Sequence, residues 1–242
     1  IGAIGLIPAA YTEMVRAWRS LTTYLPGVMT MIEDPAGRYP FVGVDEGDGI
    51  RMLVDHLVGE GHRSIGFISY NLDPYILQRY AAYREALRAH HLVTDQKLVF
   101  GIGIADGRYQ SSLIRRFNRY QQATCPIEAY THDVLEHILR TRERATAYVC
   151  QNDDVAHWLC RHAEARGLRV PEDLAVTGFD NLRSLDGYEQ TITSVDQNYV
   201  RLGTGALKLL LGCVANVRTV SPPGKILVTP TLVVRQSSLK ES

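Results

Sequence analysis

No apolar run in this chain reaches the roughly 18–20 residues that a membrane helix requires, which sets a spanning protein aside. Charge of one sign is not in excess either. Lys+Arg and Asp+Glu balance at 26 each over 242 residues, so no bulk basic field marks a nucleic-acid surface. The apolar opening "IGAIGLIPAAYTEM" lacks the preceding basic residues of a signal peptide, which makes that a poor reading of it. Cysteine is sparse. Cys125, Cys150, Cys160 and Cys213 are scattered through strand-like and helix-like stretches, as expected of reduced, buried thiols in a cytoplasmic protein. A start methionine is also missing, and the chain opens directly on a strand-like segment, as a fragment of something longer would.

What is present is globular: 45% hydrophobic and 21% charged residues, enough chain for one large domain or two smaller lobes. Short apolar runs alternate with amphipathic stretches. Strands are expected at "GAIGLI", "GVMTMI", "FVGV", "SIGFIS", "KLVFGIG", "TAYVC" and "LAVTGF", with a final strand "KILVTPTLVVRQS" interrupted by Pro230. Helices are expected from Thr12 to Leu25, from Asp48 to about Gly59, and from Ile76 to His90. Others are expected over Arg108–Gln122, Thr131–Arg142, Val155–Arg166 and Val200–Leu211. This alternation predicts an α/β fold with mainly parallel sheets flanked by helices, whose ligands bind at the carboxyl ends of strands.

Two strand ends carry polar clusters. "AYVCQNDDVA" runs into Asn152, Asp153 and Asp154, and "LAVTGFDNLR" into Gly178, Phe179, Asp180 and Asn181. An Asn or Asp ahead of a helix is a common N-cap, because its oxygen accepts an otherwise orphaned backbone N–H. Amides and carboxylates at two converging strand ends also suit a hydroxyl-rich ligand. Arg79, near the start of its helix, is either a solvated surface charge or a fork of donors aimed at a ligand. The residues alone leave both pairs of readings open.

Rival chemistries have less behind them. His157 and Cys160 share a helix face, but His162 swings away and no C-x-x-C or H-x-x-x-H pair accompanies them, so no metal is expected. There is no G-x-S-x-G, H-E-x-x-H or G-x-x-x-x-G-K motif, and adjacent Asp153 and Asp154 point different ways. Neither an enzyme nor a cofactor is expected.

Four linked stretches resemble the LacI/GalR family of transcriptional regulators. "VGVDEGDGIRMLVDHLVGEGHRSIGFIS" looks like its signature, an aspartate before a Gly-led helix and a Gly-His-Arg turn into a strand. "RYAAYREAL" resembles its Arg-x-x-Gly-aromatic helix, and "AYVCQNDDVA" its Asn-Asp-x-x-Ala element. "RGLRVPEDLAVTGFDNLRSLDGYEQTITSVDQNYVRLG" resembles its long run ending in Thr-Thr-Val-x-Gln. The likeness covers nearly the whole chain. It implies a two-lobed, periplasmic-binding-protein-like effector domain whose strands cross near Val44–Asp45, Asp196–Gln197 and Thr229–Pro230. One lobe would be residues 1–44 with 197–229, the other 45–196 with 230–242. The cleft residues it implies are Arg79, Asn152, Asp180 and Gln197, with Val44 and Phe179 nearby.

The resemblance further implies a small-molecule effector, a sugar or sugar derivative, and a homodimer using the helix over Ile50–Val58 and helices of the second lobe. Operator DNA would bind through a domain outside this chain. Departures are visible as well. The family's DNA-binding domain and about two βα units of the first lobe are not in this sequence, Ala82 replaces the usual glycine, and the stretch between Gly101 and Ala145 is long. "VCQND" is similar to arabinose-repressor-like proteins, which carry a winged helix. A secreted solute-binding protein of a sugar transporter is the alternative with the same fold.

Overall fold

A computed structural model describes residues 2–6, 12–34, 36–70, 73–101, 127–182, 191–215 and 224–239. In chain order the described elements are β1 (Ala3–Leu6), α1 (Thr12–Thr22), β2 (Gly27–Thr30), β3 (Phe41–Val44), α2 (Glu46–Gly59) and β4 (Ile65–Ile68). They continue with α3 (Pro74–Ala89), β5 (Val99–Phe100), α4 (Ile127–Arg140), β6 (Ala147–Cys150), α5 (Asp153–Ala165) and β7 (Ala175–Thr177). Then come β8 (Ser194–Asp196), α6 (Tyr199–Ala215), β9 (Lys225–Val228) and β10 (Thr231–Val233). The fold is α/β with parallel sheets flanked by helices.

The chain separates into two compact units. The first comprises Ile1–Glu46, Asp73–Tyr75 and Gln197–Pro230, the second Gly47–Leu72, Ile76–Asp196 and Thr231–Ser242. The first unit holds a parallel sheet in the order β1-β2-β3-β9. Its core is Val28, Val42 and Val228 from the strands with Leu202 and Ala206 from α6. Gly205 lets that helix lie close, since a Cβ there would already stand 3.3 Å from Val42.

The second unit holds the parallel sheet β5-β4-β6-β7. All four residues of β4 and of β6 are buried, as central strands covered on both faces must be, and this is why "SIGFIS" and "TAYVC" read as continuous apolar runs. α4 and α5 supply Val134, Leu135, Ile138, Val155 and Leu159 to one core around Tyr148 and Val176. Beyond β7, β8 pairs antiparallel with β10, placing Ser194–Asp196 beside Thr231–Val233.

Several expectations change. Within "KLVFGIG" the described strand is Val99–Phe100, entered by a 3-10 turn over Gln96–Leu98 that Asp95 caps through Lys97 N. The helix expected over Arg108–Gln122 lies outside the described residues. The interrupted final strand is two strands in two different sheets; Pro230, lacking an N–H, stands where the chain leaves one ladder for the other. α2 begins at Glu46, two residues before Asp48, which suits an acid in a first helical turn. Its apolar stripe Ile50, Leu53, Val54 and Leu57 is entirely buried in this chain's own core.

Gly101 closes β5 at φ +88°, where an added Cβ would overlap the Ser69 carbonyl oxygen and lie 2.7 Å from its carbon. Gly101→Ala therefore combines a strained left-handed residue with a backbone clash. A loss of about 2 kcal/mol or more is expected in urea unfolding.

Candidate functional site

Parallel strands place their carboxyl ends on one edge, and in the second unit these ends carry most of the polar residues singled out above. β4 leads into Ser69 and Tyr70, β6 into Gln151, Asn152 and Asp153, and β7 into Gly178, Phe179, Asp180 and Asn181. Arg79 arrives from the second turn of α3.

Arg79 is not a solvated charge; it is 1% exposed. One guanidinium nitrogen donates to the Gln151 backbone carbonyl, and another donates to Asp180 Oδ1 at 3.3 Å. Its carbon lies 3.6 Å from the centroid of the Phe179 ring. The fork thus joins the ends of β6 and β7. Phe179, fully buried, is the platform beneath it, and Gly49 of α2 passes so close that a Cβ would sit 2.7 Å from the ring.

Asn152 is the N-cap of α5, with extended backbone and Oδ1 accepting from Val155 N at 3.1 Å. One lone pair of its oxygen serves the helix, and its amide N–H groups are the donors it can offer a ligand. Asp154 is an exposed first-turn acid. Asp153 turns inward instead. Its Oδ1 accepts from Ser194 Oγ at 2.6 Å and its Oδ2 from Leu182 N at 2.8 Å, and burial pushes its carboxyl up to about 7. Gly178 makes room, because a Cβ there would overlap that carboxylate.

Asp180 and Asn181 form a turn with φ of +105° and +49°, a region where Asn and Asp are the least unfavourable residues after glycine. Asp180 N donates to Val195 O at 2.9 Å, while its side chain is 16% exposed beside Arg79. Asn181 donates to Asp196 Oδ2 at 3.0 Å and accepts from Arg235 at 2.7 Å.

Gln151, Ser194 and Arg235 were not singled out from the sequence. Buried Gln151 Oε1 accepts from Ser69 Oγ at 3.0 Å and from Tyr70 N at 2.7 Å, tying β4 to β6. A polar residue directly after a four-residue apolar strand was the available signal. For Arg235, distant in sequence, there was none. Val44 and Gln197 are buried members of the first unit: Val44 ends β3 in register with Val228, and Gln197 follows β8. The four second-unit candidates converge, Arg79, Phe179 and Asp180 by direct contact and Asn152 as the neighbour of the Gln151 carbonyl that Arg79 holds.

Cys150 and Cys160 are reduced and buried, with the Cys160 thiol pushed up to about 12 by burial. Among the described residues no three His, Cys, Asp or Glu side chains gather as a metal site would need, and no helix is long and apolar enough to cross a membrane.

Residues 54–238 match the family described as the periplasmic binding protein-like domain. The HTH-type transcriptional repressor PurR of Actinobacillus pleuropneumoniae is 26% identical over 191 residues, 78% of this chain and 50% of that protein. The arabinose metabolism transcriptional repressor of Geobacillus stearothermophilus is 26% identical over 200 residues, 82% and 50% respectively. The chain thus spans about half the length of the curated relatives it matches. A LacI family transcriptional regulator from Enterococcus faecium with bound ribose superposes with a TM-score of 0.74 at 21% identity, covering 99% of this chain and 80% of that one.

Proposed function

The chain belongs to the periplasmic binding protein-like family, as an effector-binding domain of the LacI/GalR type, and from this we propose that it is the ligand-sensing part of a bacterial transcriptional repressor. Its effector is a sugar or related hydroxyl-rich metabolite. The observation that carries this is Asp180, partly exposed at the end of β7, with Asn152 at the neighbouring end of β6 and Arg79 bracing both loops.

The charge state sharpens the ligand class. Arg79 is paired with Asp180 and covered, so the described polar cluster offers acceptors and amide donors more than an unmatched positive charge. That favours neutral hydroxyls over phosphates. Asp180 accepts from a ligand hydroxyl, Asn152 donates to one, and Arg79 with Phe179 fixes the Asp180 turn. Val44 and Gln197 are assigned to the site by resemblance.

The lobes are residues 1–44 with 197–229 and 45–196 with 230–242; the compact units, with main breaks after 46, 196 and 230, support this division. Dimerisation, operator DNA held by a domain outside this chain, a cytoplasmic location and the lack of catalysis belong to the same reading, and the repressors among its relatives support it. The effector shifts the repressor between states only by its difference in affinity for them.

Thermal-shift titration with D-ribose, L-arabinose, cellobiose and ribose 5-phosphate tests this. At least one neutral sugar should raise the midpoint, with ribose 5-phosphate ineffective. Asp180→Asn should weaken that sugar about 10- to 150-fold, as loss of a hydrogen bond to a charged group of about 1.5–3 kcal/mol implies. Undiminished affinity in Asp180→Asn would overturn the assignment.

A further inference from the structure

We propose that Arg235 is a positioning residue of the effector site: acting through Asn181, its guanidinium sets the turn that presents Asp180. This rests on the reading of Asp180 as the acceptor of a ligand hydroxyl. The turn has two consecutive L residues at positive φ, a conformation that persists only where the surroundings fix it. Several groups share that work, each on a different atom. Asp180 N donates to Val195 O, Asn181 N to Ser194 Oγ at 3.0 Å, and Leu182 N to Asp153 Oδ2. These contacts hold backbone. The side chain of Asn181 is held by a different pair, Arg235 and Asp196.

The orientation of that amide follows from its neighbours. A guanidinium only donates and a carboxylate only accepts, so Asn181 turns its oxygen to Arg235, 54 residues further along the chain, and its NH2 to Asp196. A neutral amide bridging a cation and an anion is what Asn supplies here; Asp would set two carboxylates face to face. Arg235 is itself anchored twice. Its other terminal guanidinium nitrogen donates to Ile192 O at 2.7 Å, ahead of β8. Its backbone N donates to Thr193 Oγ1 at 2.8 Å, and the same hydroxyl donates back to its carbonyl at 2.9 Å. Thr193 has then spent its one proton, so Ser238 Oγ donates to it at 2.6 Å, and His56 Nε2 of α2 donates to Ser238 Oγ at 2.7 Å. The backbone at 235 is therefore held without the guanidinium, which is left to serve the turn and the approach to β8. Asp196 ends β8 and Arg235 follows β10, and the two strands are paired, Asp196 opposite Thr231. The chain passes between the compact units at Asp196–Gln197 and Pro230–Thr231. Asn181 thus fastens the effector turn to two of the segments by which the chain enters and leaves the second unit.

Amide hydrogen exchange by NMR on the ligand-free protein tests this with Arg235→Gln, Asn181→Gly and the double variant. Protection of Asp180 and Asn181, referenced to the β4 amides, should fall about tenfold or more in Arg235→Gln, as loss of a hydrogen bond from a charged donor implies. Ser237, whose amide donates to Thr191 O, should keep its protection. In the Asn181→Gly background Arg235→Gln should change Asp180 no further, the non-additivity expected of a residue that acts through another. Equal losses at Ser237 and Asp180 would make Arg235 a brace of the C-terminal segment and overturn the proposal. Unchanged protection of Asp180, or additive losses in the double variant, would overturn it too. Should Arg235→Gln fail to fold, Asn181→Gly decides alone: a loss at Asp180 with Ser237 intact supports the proposal, and wild-type protection of Asp180 overturns it. A second arm measures affinity for D-ribose, L-arabinose and cellobiose by calorimetry. For any of them that the wild type binds, Arg235→Gln and Asn181→Gly should each weaken binding about tenfold, and the double variant no more than either. Undiminished affinity in Arg235→Gln overturns its role in the effector site. Absence of all sugar binding counts against the proposed function alone, because the exchange result stands without a ligand.

Discussion

Arg79→Ala is expected to lower the stability of the second unit by about 3–5 kcal/mol, the range for removing one partner of a buried ion pair. Three losses combine. The Gln151 carbonyl loses its donor, Asp180 loses its cation, and the Phe179 ring loses the guanidinium stacked 3.6 Å away. At roughly 2–4 °C per kcal/mol for a chain of this size, the thermal midpoint should drop by about 6–20 °C. Arg79→Lys should recover little, because a compact ammonium cannot reach a carbonyl and a carboxylate while lying flat on a ring. A midpoint within 2 °C of wild type for Arg79→Ala would contradict the buried clamp. The consequence for function is practical: Arg79 variants confound ligand binding with folding, and Asp180→Asn, which leaves the buried Arg79 beside a neutral amide, needs its own unfolding midpoint before its affinity is read.

Asp153→Asn should act in the opposite direction on stability. The folded carboxyl titrates at about 7 against 3.8 when unfolded, so the folded state holds the proton more tightly. Between those values the unfolded chain has released a proton that the folded chain keeps, and stability falls as pH rises. Below about pH 4 the cost vanishes; above pH 7 it is complete. At 1.36 kcal/mol per unit, that cost reaches about 4 kcal/mol. Asp153→Asn should remove this slope, leaving a variant more stable than wild type at pH 8 and equal to it near pH 4. Denaturant midpoints at pH 4.5, 6 and 8 measure this. Parallel pH profiles for the two proteins would contradict it. A buried acid retained at such a cost fits a group kept for what it positions rather than for stability.

The strands and helices were legible because burial imposes a period. β4 and β6 are apolar throughout since both their faces are covered, and α2 shows its stripe at helical spacing. The same logic could have settled Arg79. Ile76, Arg79, Tyr83, Ala86 and Leu87 form one buried stripe of α3, so position 79 lies on the covered face whatever its charge. Asn152 and Asp153 were not separable from sequence. Which of two neighbouring side chains caps the helix and which turns inward is set by Ser194 and Leu182, some 30 to 40 residues away. Pro230 marked a break, but only pairing partners reveal that the strands on either side of it belong to different sheets.

The central claim is that a neutral, hydroxyl-rich effector binds at the strand ends of the second unit. Amide chemical-shift mapping during titration of the protein with D-ribose, L-arabinose and cellobiose tests it most directly. The account predicts saturable shifts centred on Asn152, Phe179, Asp180 and Asn181 with at least one of these sugars, and their loss in Asp180→Asn. Saturable binding that leaves those four amides unmoved, or shifts that persist unchanged in Asp180→Asn, would contradict it.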